Sequence, residues 1–257
     1  MSDGAAAPKI IERPDYTAAV NRKEPGSKKH PYLRPKPAAT LIILDHAGEQ
    51  SKVLMGRRHH GHKFMPGKFV FPGGRVDPAD REVAVTHMLH PAVEEKLAKR
   101  RVKATPALPR ALALAAVRET FEETGLVLGT KSDKAAKAHP PGPWSDYAAH
   151  GLTPNLAAFH FITRAITPPG RPRRFDTTFF AVDAKEIAAR VEDVIHPESE
   201  LVELVWLPLE EAQKLDLPHI TGVVLKELKT RVAGGMGYDL PVPFYYERHK
   251  RWFREEL

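Results

Sequence analysis

The chain has 257 residues, 42% of them hydrophobic and 28% charged, enough apolar material for one large folded domain and too much for a disordered chain. It contains no cysteine, which excludes a disulfide framework, a thiolate nucleophile and a zinc–thiolate site. The formal net charge of +7 favours anionic partners, but it is concentrated: residues 1–37 carry eight Lys or Arg against four acids, and residues 81–110 carry seven against three. Both stretches are poor in aromatics, which argues against a nucleic-acid reader. The sequence lacks an apolar run long enough to span a bilayer and a charged-then-apolar leader, so a cytoplasmic protein with no membrane partner is expected.

In chain order, a basic, proline-containing arm (1–37) precedes the first periodic segment. Ala39 to Leu44 reads as a buried strand and Lys52 to Arg58 as a second, joined through Ala47 and Gly48 and leading into His59, His60, Gly61 and His62. Lys68 to Phe71 is a brief strand that stops at Pro72, Gly73 and Gly74, where a sharp turn is expected. Glu82 to Arg101 is helix-compatible but broken by Pro91, and Arg110 to Thr124 is a strong helix closed by Gly125. Leu156 to Thr163, Thr177 to Val182 and Leu201 to Leu207 read as strands. Leu209 to Leu215, Ile220 to Val232 and Phe244 to Glu256 read as helices. Strands and helices mixed in this order predict an α/β sandwich on a mixed sheet. Its main domain would span 38–232, with a C-terminal helical extension over 233–257.

The chemistry-bearing stretch runs from Arg118 to Gly125. On a helix, Glu119, Glu122 and Glu123 are related as i, i+3 and i+4, so their carboxylates leave one face. Crowded like charges are unfavourable unless a hard divalent cation such as Mg²⁺ or Mn²⁺ sits among them; the alternative is an ordinary solvated acidic face.

With Phe71-Pro72-Gly73-Gly74 upstream, this stretch resembles the signature of the Nudix hydrolase family, a glycine turn followed by a helix bearing R-E-x-x-E-E-x-G. Gly74 matches the opening glycine, Arg118 and Glu119 the Arg-Glu pair, Glu122 and Glu123 the paired acids, and Gly125 the closing glycine. Arg118 follows Gly74 by 44 positions where the family pattern has 14, so an insertion of about 30 residues, roughly 78–109, splits the motif at little entropic cost. Thr120 stands in a commonly aliphatic slot. The acid expected between the glycine and the helix is open: Asp80 keeps the spacing from Gly74, whereas Arg110 holds the slot counted back from Arg118.

The split motif, together with Arg173-Arg174-Phe175-Asp176-Thr177, is similar to the branch that includes peroxisomal coenzyme A diphosphatases and their bacterial relatives. A related coenzyme A pattern matches Gly67 and Phe71 to Gly74 but has Lys63 where arginine is expected, which keeps the charge and loses the bidentate fork. The terminal Arg254-Glu255-Glu256-Leu257 is not a peroxisomal tripeptide and favours a bacterial cytosolic relative.

The resemblance implies an α/β/α sandwich with a mixed sheet, an inserted helical segment and C-terminal helices. It implies hydrolysis of a diphosphate joining a nucleoside to another group, with coenzyme A or its thioesters the leading small-molecule substrate. ADP-ribose, NADH and dinucleoside polyphosphates are alternatives, and a catalytically silent nucleotide-binding domain is the alternative of another class. Gly74, Glu119, Glu122 and Glu123 are the expected ligands of Mg²⁺ or Mn²⁺, and Arg118 would orient a carboxylate. The candidate general base is a glutamate of the motif or a later acid, Glu200 or Glu203. Arg57, Arg58, Lys63, Arg173 and Arg174 are candidate substrate contacts, with Trp144, Trp206 and Phe175 as possible partners of adenine and Trp206 read rather as core. Apolar residues between Val83 and Leu97 would either dock on the fold or join a homodimer.

Overall fold

A computed structural model of the chain describes residues 8–12, 33–61, 65–101, 105–132 and 142–257. His62 and Lys63 lie outside the described residues, as does most of the 1–37 arm.

The sequence of elements begins with β1 (Lys9–Ile11), β2 (Lys36–Asp45), β3 (Lys52–Arg58), β4 (Phe69–Val70) and β5 (Gly73–Arg75). Next come a 3₁₀ turn (Pro78–Arg81), α1 (Pro91–Ala98), α2 (Leu108–Thr124), β6 (Leu126–Leu128), β7 (Thr130–Lys131), α3 (Pro143–Ala148) and β8 (Leu152–Thr153). The chain continues through β9 (His160–Ile166), β10 (Phe175–Asp183), β11 (Ile187–Arg190), β12 (Leu201–Pro208), α4 (Leu209–Ala212) and α5 (His219–Ala233). It closes with β13 (Pro243–Arg248) and β14 (Arg251–Glu256).

Ten strands form one mixed sheet in the order β1-β14-β13-β9-β10-β2-β3-β12, with β4 beside β3 and β5 beside β2. β2 runs parallel to β10 and antiparallel to β3, which places it near the middle of the sheet. A strand covered on both faces needs apolar residues at every position, and Ala39 to Leu44 supplies nearly that. Leu41 and Ile43 face the core under α2, while Ile42 and Leu44 face a second core under α5, built with Val53, Met55, Val224, Leu225 and Leu228. The result is a helix–sheet–helix sandwich, as the mixed pattern predicts.

In α2, every residue from Ala111 to Val117 is buried, and the alanines let the helix approach β2 and β5 closely. Thr120 fills its apolar slot without leaving a polar atom exposed to the core, because its hydroxyl donates to the Ala116 carbonyl at 2.7 Å. Gly125, at φ 73°, ends the helix in the left-handed conformation expected of a C-cap.

The insertion docks on the fold. Its first half is not helical: Asp77 caps the 3₁₀ turn, and the helix begins only at Pro91, whose missing N–H is tolerated in a first turn. Val83, Leu89, Val93 and Leu97 enter the α2 core. A buried ion cluster pins its end, where Arg101 and Arg164 both pair with Asp176 at 2.7–2.9 Å.

The C-terminal segment differs from the helical expectation. Pro243–Arg248 and Arg251–Glu256 form a hairpin, with β13 parallel to β9 and β14 paired to β1. Phe, Tyr and Trp side chains suit a pleated surface, and His249 and Lys250, both at positive φ, make the two-residue turn. Trp206, read as core, lies on the edge strand β12 and is 39% exposed. Among the described residues, no helix is long and apolar enough to cross a membrane.

Candidate active site

The site forms where β5 meets α2. β5 pairs with β2 in the register Ala39↔Gly74, and Gly74 lies directly against Glu119; a Cβ at Gly74 would overlap the Glu119 carboxylate and push it aside. The neighbouring Gly73 N–H donates to Glu123 Oε2 at 3.2 Å. The two halves of the split motif are thus reunited in space across an insertion that leaves their contacts intact.

Arg118 is the centre of the arrangement. Its Nε donates to Asp80 Oδ1 at 2.9 Å, its Nη2 to Asp80 Oδ2 at 3.2 Å and to the Arg75 carbonyl at 2.9 Å, and its Nη1 reaches Glu119 at 2.9 Å and Glu122 at 3.3 Å. Asp80 is fully buried, and the Trp144 indole N–H and the Asp77 amide also donate to it, at 2.9 and 2.8 Å. Asp80, not the position of Arg110, is therefore the acid that serves the motif arginine. Arg110 instead donates to the Arg81 carbonyl. Trp144 is buried against this acid and is not available to stack on a base.

Three acids, Asp80, Glu119 and Glu122, face one guanidinium with Glu123 beside them, and the electrostatics show the imbalance. Burial pushes the Glu119 carboxyl up to about 6 against the opposing pull of Arg118, with Glu122 adding to the rise. Glu122 is raised by burial as well. Glu123 is raised well above the ordinary range, first by burial and then by the charges of Glu200 and Glu119.

The donor chemistry fits a hard divalent cation: three crowded carboxylates, oxygen ligands throughout, whose ionised forms an added positive charge would stabilise. Among the described residues, no three such side chains converge closely enough to cage an ion as they stand. Arg118 Nη1 is the positive charge to which Glu119 and Glu122 turn.

Glu200 precedes β12 and pairs with Arg58 at 2.7 Å, while its charge is felt by both Glu119 and Glu123. Glu203 lies opposite Arg57 in the β12–β3 register and pairs with it at 2.6 Å. The structure therefore brings Arg58 and Glu200 to the edge of the motif, while Arg57 and Glu203 pair with each other on the neighbouring β3–β12 ladder. Arg174 is buried and donates to the Thr167 and Leu33 carbonyls at 3.0 and 2.6 Å, fastening the start of β10, and Arg173 is exposed beside it. Lys63 lies outside the described residues. The sequence leaves Asp80 open against the Arg110 slot because the insertion obscures its register, and offers Trp144 as a partner of adenine because a lone tryptophan carries no spacing signal.

No protein-family model matches the chain. Human acyl-coenzyme A diphosphatase NUDT19 is 30% identical over 207 residues, covering 61% of this chain and 51% of that protein. Putative nudix hydrolase 7 of Caenorhabditis elegans is 33% identical over 153 residues, covering 56% of this chain and 42% of that protein. The crystal structure of a Nudix hydrolase from Alicyclobacillus acidocaldarius is 29% identical, with a TM-score of 0.52, covering 76% of this chain and 90% of that one. These likenesses, together with the reassembled motif, support membership of the Nudix hydrolase family. It spans about half the length of the curated relatives it matches. The Nudix helix is α2, and its glycine turn is Pro72 to Gly74.

Proposed function

We propose that the protein is a divalent-metal-dependent pyrophosphohydrolase whose substrate is coenzyme A or one of its thioesters, cleaved to 3′,5′-ADP and a 4′-phosphopantetheine product. The observation that carries this reading is the under-compensated carboxylate cluster of Glu119, Glu122 and Glu123 set against the Gly74 backbone. The likeness to human acyl-coenzyme A diphosphatase NUDT19 supports the choice of substrate.

In this reading Glu119, Glu122, Glu123 and the Gly74 carbonyl would hold Mg²⁺ or Mn²⁺, which when bound neutralises the diphosphate and lowers the pKa of an attacking water. The remaining work falls to the chain. Asp80 and the Arg75 carbonyl fix Arg118, which keeps Glu119 and Glu122 from splaying apart. Glu200, whose charge reaches the same carboxylates, is the acid best placed to accept the proton of that water. Arg58, paired with Glu200, would hold that carboxylate in place.

The test is product analysis by mass spectrometry after incubation with Mg²⁺ or Mn²⁺ and coenzyme A, acetyl-coenzyme A, ADP-ribose, NADH and diadenosine polyphosphates, with Glu122→Gln as the blank. Release of 3′,5′-ADP by the wild type alone is the expected result. Cleavage of another member would keep the chemistry and replace the substrate, and equal product from Glu122→Gln would remove the metal-site reading.

A further inference from the structure

Two clefts of opposite character lie on either side of the segment 191–200, the first lined in part by Glu122. On one side, Val191 and Val194 join Phe121, Glu122 and Asp146 around a cavity of about 250 Å³ that is apolar with two acids and no cation. On the other, Ile195 and His196 join Arg57, His59, His60 and Val202 around a cavity of about 420 Å³. The second cleft holds one guanidinium and three imidazoles, and it abuts the motif through Glu200, whose carbonyl accepts from the His59 amide at 3.0 Å.

The hydrogen bonds preset the imidazoles as donors. His59 Nδ1 accepts the Gly61 amide at 2.9 Å, and His196 Nδ1 accepts the Glu198 amide at 3.3 Å. A ring nitrogen that accepts carries no proton, so each neutral imidazole keeps its proton on Nε2. Arg57 Nη1 lies 3.3 Å from His60 Nε2; a guanidinium only donates, so His60 accepts there and holds its own proton on Nδ1. Arg57, which lines the cleft, is anchored by Glu203, which accepts from its Nε at 2.6 Å.

We infer that this cleft is a subsite for a phosphate monoester on the nucleoside half of the substrate. Imidazole N–H donors of fixed tautomer beside an arginine match the acceptor oxygens of a phosphate. The reacting diphosphate belongs at the Nudix carboxylates, so a second anion site beside them selects substrates with a phosphate beyond the diphosphate, on the ribose. The opposite cleft, without a cation, takes the uncharged half. This assignment rests on the hydrolase reading for its direction along the substrate, but the anion site stands on its own residues.

Isothermal titration calorimetry of the full chain, without added metal, compares 3′,5′-ADP with 5′-AMP. The wild type binds 3′,5′-ADP at least about tenfold more tightly, the gain of one charge-assisted contact. His196→Ala and Arg57→Ala each reduce that ratio towards one, while Glu122→Gln keeps it. Equal affinity for the two nucleotides, no binding of either, or a ratio unchanged in both cleft variants overturns the assignment. Turnover is read separately: if the wild type hydrolyses nothing while the binding ratio holds, the hydrolase reading fails and the phosphate subsite survives.

Discussion

Two buried ion clusters in this molecule are built from the same residue types and come out oppositely. At the end of the insertion, Arg101 and Arg164 share Asp176, and the leftover positive charge, still felt in the Arg101 guanidinium that burial and then Arg164 lower, is met by neutral acceptors: Arg101 also donates to the Leu97 carbonyl and the Thr178 hydroxyl, and Arg164 to the Lys99 and Arg100 carbonyls. Every guanidinium nitrogen has an acceptor, and the cluster is closed. At the Nudix motif, Arg118 is likewise saturated, but the carboxylates of Glu119, Glu122 and Glu123 are not, and the excess is negative and lies beside an open cleft lined by Glu122. Burial of an ion pair is weak evidence for either role. What separates a fastening from a site is which sign is left uncompensated and whether a ligand can reach it.

The largest expected effect comes from the open cluster. Glu123→Gln should lower turnover at least about 100-fold, the loss expected when a metal ligand is removed, while the metal-free protein unfolds at no lower temperature, because one of several crowded buried charges is gone. A parallel fall in melting temperature would mean that the carboxylate serves the fold, like Asp176.

Asp80→Asn should cost about 3–5 kcal/mol in urea denaturation, since it leaves the Arg118 guanidinium buried without its main partner, and it should also depress turnover by releasing Arg118. Asp176→Asn should cost somewhat less, about 2–4 kcal/mol, its carboxylate being less deeply buried than that of Asp80, with turnover per folded molecule unchanged. Equal damage to turnover from both variants would erase the distinction between the clusters.

The smallest effect is in the pH dependence of stability. His160 stacks on Tyr238, which stacks in turn on His90, and burial with the nearby Arg231 charge pushes the His160 imidazole down to about 4. A depressed imidazole holds the folded state neutral, so its contribution is present above the ordinary value near 6.5 and is lost as pH falls towards 4. Glu119 acts with the opposite sign: its raised carboxyl penalises the fold as pH rises through about 6. His160→Phe should therefore flatten the fall in melting temperature between pH 7 and 5, and Glu119→Gln should raise the metal-free melting temperature above pH 6. A steeper fall in the first, or a lower melting temperature in the second, would contradict these environments.

The parts of this contrast visible in the sequence were those with fixed spacing. Glu119, Glu122 and Glu123 announce one helix face, and Gly74 and Gly125 mark a close approach and a cap; both arise within a few residues. Arg101, Arg164 and Asp176 come together from three distant segments, and nothing in their neighbours signals the meeting. Asp80 fell between, because the insertion displaced it from the helix whose arginine it serves. The C-terminal hairpin reads as helix in the sequence because Phe244, Tyr245, Trp252 and Phe253 fit either period over so short a run, and His249-Lys250 is an uncommon pair for a tight turn.

Thermal unfolding with and without Mn²⁺ tests the central claim most directly, since an ion that binds the folded state alone must raise its melting temperature. The account predicts a rise in the wild type and in Asp176→Asn that is absent from Glu119→Gln and Glu123→Gln. An equal rise in all four proteins would place the ion elsewhere and contradict the assignment of the Nudix carboxylates as its ligands.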